Sequence, residues 1–217
     1  MSVFFKRRGE PSSMGKRLSD YVEGDLVLIH ENGTPVEFYV AKHDYESALN
    51  GAGRTLLVRK DCYDQRQWHS SLVNAYASSS IDDWLNRTYK AMLTDKVKNA
   101  MGETKFRYTV GNGSTTVTTL TRSLFILSMT ELGKSEGNAN VEGSALPIAN
   151  TLKVARKNGT AVAHWTRTPS KSSTGNVFCI VSSGDITNIS CTASYYSRPC
   201  FTLPAKTRFD PNTNVIK

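Results

Sequence analysis

The chain has 217 residues, of which 39% are apolar and 21% charged. That composition excludes wholesale disorder, a collagen repeat and a coiled coil, and no apolar run approaches the roughly 20 residues of a membrane-spanning helix. The net charge is +8 with a pI near 9.4, yet the basic residues are spread out. No nucleic-acid-binding motif accompanies them, so neither nucleic acid nor membrane is an expected partner. The one uneven stretch is 143–184, with five basic residues and no acid between Glu142 and Asp185. A solvated basic face accounts for it.

Residues 1–20 read as an N-terminal arm. Phe4 and Phe5 stand beside Lys6, Arg7 and Arg8, followed by a Gly/Pro/Ser stretch. An apolar pair next to a basic triplet suits docking, although a frayed terminus has the same composition. The start is too short and too charged for a secretory signal, so no export through a cleaved leader is expected.

From Tyr21 the chain reads as one ordered domain, 21–217. A buried strand covers 26–29, an Asn32-Gly33 turn closes a hairpin, and 36–41 alternates with Val36, Phe38 and Val40 on one face. Residues 50–53 form a loop and 55–59 a third strand. The stretch 79–102 has helical spacing. Ser80 with Asp83 makes a capping-box-like start, Ile81, Trp84 and Leu85 share a face, and Thr94 caps a second helix closed by Gly102.

After Lys105 strands and turns return, with a loop at 111–114, a strand at 124–127 and a Gly/Ser/Asn-rich surface loop at 133–145. Strand-like runs follow near 152–155, 162–167, 177–181 and 200–203. Strands, two short helices and many further short strands predict an α+β domain.

The usual chemical motifs are missing or incomplete. Leu132-Gly133-Lys134-Ser135 resembles the end of a phosphate loop, but Ser128 stands where the first glycine belongs. Gly51-Ala52-Gly53 lacks the third glycine of a dinucleotide loop, and no nucleophile elbow occurs. His30, His43, His69 and His164 are scattered. His69 beside Ser70 reads as a turn hydrogen bond, and Asp82-Asp83 as first-turn acids opposing the helix dipole. Cys62, Cys179, Cys191 and Cys200 have no metal-ligand spacing and read as free, buried thiols; Cys191 and Cys200 are the one pair close enough in sequence to test. Trp68, Trp84 and Trp165 read as core. Arg167 reads as a structural donor to loop carbonyls. No catalytic residue, metal or cofactor is expected.

Residues 182–197 stand out. The run Ser-Ser-Gly-Asp-Ile-Thr-Asn-Ile-Ser-Cys-Thr-Ala-Ser-Tyr-Tyr-Ser contains no Lys, Arg, Glu, Leu or Trp. Small hydrogen-bonding residues beside paired tyrosines have the composition of binding loops. The candidate contacts are Ser183, Asp185, Thr187, Asn188, Ser190, Thr192, Ser194, Tyr195 and Tyr196. A polar hairpin with Ile186, Ile189 and Tyr195 helping the core fits the same residues.

Phe4-Phe5-Lys6-Arg7-Arg8-Gly9, the Glu31-Asn32-Gly33 hairpin, LLVRKDCYDQRQWHSSLVNAYASSSIDDWLN, LFILSMTELG, WTRTP and SRPCFTLP occur in that order. Together they resemble a family of uncharacterised proteins from prophage tail modules. WTRTP and RPCFTLP are also similar to the end of C-type-lectin-like domains, including those of the formylglycine-generating type. The resemblance covers 3–204 and implies a C-type-lectin-like α+β domain in a non-enzymatic virion protein, a tail-fibre tip or receptor-binding adhesin. It would be made in the bacterial cytoplasm and carried on the particle. The arm would attach through Phe4, Phe5, Arg7 and Arg8 to other tail or head proteins. The late loops would meet a bacterial surface protein or glycan, and a homotrimer would supply avidity. The chain lacks the Glu-Pro-Asn, Gln-Pro-Asp and Trp-Asn-Asp triplets of calcium-dependent sugar binding, and nothing around Cys191 and Cys200 matches the oxidase motif. A head decoration or baseplate protein without ligand binding is the rival reading.

Overall fold

A computed structural model describes residues 15–213, 215 and 216. In chain order the strands are β1 Lys16–Arg17, β2 Leu26–Glu31, β3 Thr34–Lys42, β4 Arg54–Arg59, β5 Gln65–Gln67, β6 Thr104–Gly111, β7 Ser114–Arg122, β8 Ala155–Lys157, β9 Thr160–Val162, β10 His164–Pro169, β11 Asn176–Ile180, β12 Ile186–Ser190, β13 Ser194–Tyr196, β14 Cys200–Pro204 and β15 Arg208–Phe209. The helices are short: α1 Ser47–Asn50, α2 Ser80–Trp84, α3 Lys90–Met92, α4 Asp95–Met101 and α5 Ala149–Leu152. The domain is α+β and mostly strand, as the sequence pattern implies.

Two sheets organise it. The first is antiparallel with order β14-β4-β3-β2. Its hairpin turn lies at Asn32 and Gly33, both at positive φ (49° and 81°), the backbone that an Asn-Gly pair adopts most easily. Val27, Ile29, Phe38 and Val40 point inward and are fully buried. A register shift between Val40 and Lys42 buries Ala41 as well, so the strict alternation expected through 36–41 breaks at a bulge.

The second sheet has order β12-β11-β10-β13-β5. Its pairs are antiparallel except for β10 with β13. Trp68 is fully buried against Tyr76 and donates its indole N–H to Thr166 O at 2.9 Å, the polar contact a buried indole requires.

The N-terminal boundary lies earlier than the composition suggests. β1 pairs with β15, and Leu18 is fully buried with its N–H on Thr207 O. Residues 16–20 are thus fastened to the C-terminal segment. Phe4, Phe5, Arg7 and Arg8 lie outside the described residues.

The 79–102 segment departs from the expected pair of simple helices. Ser79, rather than Ser80, caps α2, accepting from Asp82 N at 3.2 Å. Asp83 makes no capping box; it pairs with Arg87 on the surface. The helix then widens into a π turn over Leu85–Tyr89. Asn86 explains the widening: its Nδ2 donates to Asp82 O and Leu124 O, and its Oδ1 accepts from Leu124 N. A side chain inserted into the ladder distorts it locally. Trp84 is half-buried rather than core, with the Arg66 guanidinium 3.2 Å from its ring centroid. Thr94 does cap α4, and Gly102 ends it at φ 63°. The segment is tied to the first sheet by Glu31, which takes Arg59 bidentately at 2.9 and 3.1 Å and also accepts from the Tyr89 hydroxyl.

Three expected strands change form. Among the described residues, 124–127 make one bridge, Phe125 with Cys200. The backbone there is satisfied instead by side chains, from Asn86, Tyr76 and Arg167, which is how a fully buried irregular segment avoids unpaired groups. Residues 152–155 are divided between the end of α5 and the start of β8, and 162–167 is interrupted at Ala163 between β9 and β10.

Asn74, unremarkable in the sequence, fastens the loops beneath the second sheet. It is fully buried, donates to carbonyls of Ser170, Ser173 and Asn176, and accepts from Asn112 N at 2.6 Å. Gly111 rests on it. A Cβ there would lie 2.3 Å from Asn74 O, at φ +76°. Gly111→Ala is expected to destabilise by about 3 kcal/mol or more, combining left-handed strain with a backbone clash. Gly113→Ala, at φ +86° with its nearest atom 3.7 Å away, should lose only about 1–2 kcal/mol. Equal urea midpoints for the two variants would refute the packing argument.

Candidate functional site

The residues singled out in 182–197 do not form one patch. Ser183 and Asp185 sit at the exposed β11–β12 turn, where the Ser183 hydroxyl donates to Asp185 Oδ2 at 3.0 Å and Lys134 pairs with Asp185 at 3.3 Å. The serine hydrogen bond first, and Lys134 second, lower the Asp185 pKa. Thr187, Asn188 and Ser190 belong to the edge strand β12. Ser190 and Thr192 hydroxyls bond each other at 2.8 Å.

Ser194, Tyr195 and Tyr196 form β13, three strands from β12 in the sheet order although a turn closed by Ala193 N on Ser190 O joins the two. The Tyr195 ring packs edge-on to Trp165 at 5.0 Å. Ile186, Ile189 and Tyr195 all pack against the core, so that part of the polar-hairpin reading describes the structure.

What β12 does adjoin is the loop following Leu132. Between them opens a cleft of about 290 Å³ lined by Glu136, Asn138, Phe178, Ile186, Thr187 and Asn188. Phe178, 2% exposed, and Ile186 are its apolar members. Asn188 donates its Nδ2 to Ser170 Oγ at 3.0 Å, while its Oδ1 is buried without a partner among the described residues. A buried acceptor left open is unfavourable and is satisfied by a donor from water or a ligand. Glu136 and Asn138 add exposed acceptors and donors. Residue pattern reaches Thr187 and Asn188; it misses Glu136 and Asn138, whose loop carries only a surface composition. The phosphate-loop-like Leu132–Ser135 is a turn followed by irregular chain, not a helix.

The loop wall is held by a buried ionic cluster. Arg167 is fully buried, donates Nη1 to Ile126 O at 3.0 Å and to Glu131 Oε2 at 2.6 Å, and donates Nε to Arg107 O at 3.1 Å. The carbonyl contacts match the sequence reading; the carboxylate does not figure in it. Glu142 lies 3.9 Å from Arg167 Nε and accepts from Thr109 N and the Thr168 hydroxyl.

Tyr45 donates to Glu131 Oε1 at 2.5 Å. Burial raises the Glu142 pKa, with Arg167, Thr109 and Thr168 opposing. Burial disfavours the Arg167 cation, but Glu131, Tyr45 and Glu142 outweigh it and raise its pKa. Ser128 Oγ donates to Glu142 O and Leu146 N to Glu131 O, so the cluster sets the path of the loop between 128 and 146.

The other titratable groups are engaged in structure. All four cysteines are free and buried; burial pushes Cys62 to about 11 and Cys179 to about 12. Cys191 donates to Ser71 O and Cys200 to Phe125 O, each at 3.1 Å, and burial raises both thiols. That is the reverse of what a reactive cysteine requires. His69 Nδ1 accepts from Ser70 N at 2.8 Å, the turn contact expected of it. Asp82 does more than oppose a helix dipole: it is buried, takes Arg122 Nε at 2.8 and 3.1 Å, and burial lifts its pKa to about 6. Among the described residues no group of three or more His, Cys, Asp or Glu is placed to hold a metal ion.

A comparison with curated proteins and one with solved structures each found no match. Residues 52–205, well over half of the chain, match the family described as a domain of unknown function (DUF6273), and the chain belongs to that family.

Proposed function

We propose that the chain is a virion protein of phage origin, a C-type-lectin-like domain at a tail-fibre tip that binds a bacterial surface ligand. Binding takes place in the cleft between β12 and the loop after Leu132. The single observation carrying the reading is the buried, unpartnered Asn188 Oδ1 in a cleft that joins apolar surface to an exposed carboxylate and amide. Four of its six lining residues are polar, which suits a hydroxyl-rich ligand more than an apolar one. An amide acceptor and a carboxylate suit the hydroxyls of a sugar.

The lectin-like architecture is supported by a sheet in which the late strand β14 joins the early strands β2 to β4, by short helices, and by a long irregular stretch between β7 and α5. The residues that precede β1 would join the particle, and trimeric display would compensate for weak single sites.

The test combines location with adsorption. Antibody label on purified particles is expected at distal tail tips. Particles carrying Asn188→Leu or Glu136→Ala should assemble normally and adsorb to host cells at least about tenfold more weakly, the loss of one buried polar contact. Label over the head would replace the adhesin with a decoration protein. Wild-type adsorption by both variants would remove the cleft from the mechanism.

A further inference from the structure

Arg156 and Lys157, from the acid-free stretch 143–184, lie on the β8–β9 ribbon. There Asp61 bridges to Arg156 and brings Lys60 alongside. A second cleft opens at this point, about 300 Å³, with Tyr39, Lys60, Asp61, Thr151, Arg156 and Arg198 among its lining. It is built on the first sheet and the β8–β9 ribbon and shares no lining residue with the cleft at β12.

Arg198 makes this cleft unusual. It is 3% exposed and forms no ion pair among the described residues. Its Nε donates to Arg59 O at 2.8 Å, Nη1 to Leu152 O and Nη2 to Lys60 O at 2.9 Å. A guanidinium has five N–H groups. These contacts leave one N–H on each terminal nitrogen without a protein acceptor among the described residues. A buried cation held only by neutral carbonyls is a poor arrangement unless an anion completes it.

The neighbours are arranged accordingly. Lys60 pairs with Glu37 at 2.7 Å at the outer edge. Arg156 is exposed, with Nη1 on Gly159 O. Asp61 is the one carboxylate among the lining residues. His164, whose imidazole burial first and the Arg198 charge second keep neutral, adds no further positive charge. Thr151 supplies a hydroxyl and Tyr39 a ring.

We propose that this cleft is an oxyanion site: it binds a carboxylate or phosphate group of a small ligand, with Arg198 as the buried donor, Arg156 and Lys60 as the outer cations and Thr151 at the rim. Two terminal N–H donors match the two oxygens an oxyanion presents, and the outer cations draw the anion in. The inference does not depend on the adhesin reading.

The experiment is a titration of the isotope-labelled full chain, followed by amide NMR shifts at constant ionic strength. The probes are inorganic phosphate, glucuronate and, as neutral control, glucose. Saturable shifts at Lys60, Asp61, Thr151 and Val154 are expected with phosphate, glucuronate or both, and not with glucose. Arg156→Ala should weaken binding about tenfold. Asp61→Asn should strengthen it several-fold by removing a like charge, an outcome that misfolding cannot mimic. Asn188→Leu should change nothing.

Binding of both anions would identify the oxyanion group as the feature recognised. Glucuronate alone would indicate an acidic sugar, and phosphate alone a phosphate ligand. Absence of saturable shifts, or shifts unaffected by both Arg156→Ala and Asp61→Asn, would overturn the proposal.

Discussion

Arg167→Met is expected to destabilise the fold by about 3–5 kcal/mol, because it leaves Glu131 and Glu142 buried without the cation that lies 2.6 and 3.9 Å from them. The residue is fully buried and joins Ile126, Arg107 and Glu131 through separate N–H groups. Methionine fills much of the volume, so the loss reports charge and hydrogen bonding more than packing. Arg167→Lys should recover little, since an ammonium cannot reach three acceptors in a plane. Glu142→Gln should lose only about 1 kcal/mol: Arg167 keeps its closer partner Glu131 at 2.6 Å, and the amide oxygen can keep the contact with Thr109 N. Urea unfolding checks all three. A loss below about 1 kcal/mol for Arg167→Met would mean that the cluster is not what holds the loop from 128 to 146.

His164→Leu is expected to flatten the acid side of the stability curve. Burial first, and Arg198 second, lower the His164 pKa from 6.5 to about 3, with the Val162 backbone opposing. The sign follows from proton uptake. Between these two values the unfolded chain binds a proton that the folded chain refuses. The contribution is therefore intact above pH 6.5 and falls by about 1.4 kcal/mol for each pH unit below it.

Asp82 works the other way. Its folded pKa is raised from 3.8 to about 6, so its folded form keeps a proton longer and its contribution diminishes as pH rises through that window. The difference between wild type and His164→Leu removes this common term. Relative to pH 7, the variant should gain about 2 kcal/mol on wild type at pH 5. A difference that does not move with pH would show that His164 charges in the folded state.

Features carried by neighbouring residues are legible in the sequence. The Asn32-Gly33 turn needs only two residues that tolerate positive φ, and the Thr94 cap and Gly102 stop act within one helix turn. Features that join distant residues are not. Ser79 rather than Ser80 caps α2 because the chain entering the helix, not the residue type, selects between adjacent serines. The π turn exists because Asn86 meets Leu124 across 38 residues. The apolar run at 124–127 promises a strand, but it is buried where side chains, not a neighbouring strand, reach most of its backbone.

The same division applies to the sites. Composition alone marks 182–197 as polar and adaptable, and places Thr187 and Asn188 in the candidate set. That those two line a cleft with Glu136 and Asn138, while Tyr195 and Tyr196 sit three strands away, depends on sheet order. Sheet order is decided by long-range packing.

By itself, then, the sequence determined an α+β chain with its first hairpin, the Thr94 cap and Gly102 stop of α4 and its buried thiols, because turn chemistry, capping and hydrophobic period are local. Only the tertiary structure decided the partners of Arg167, Arg198 and Asn74 and the positions of both clefts. A buried polar group is defined by what the rest of the fold brings to it.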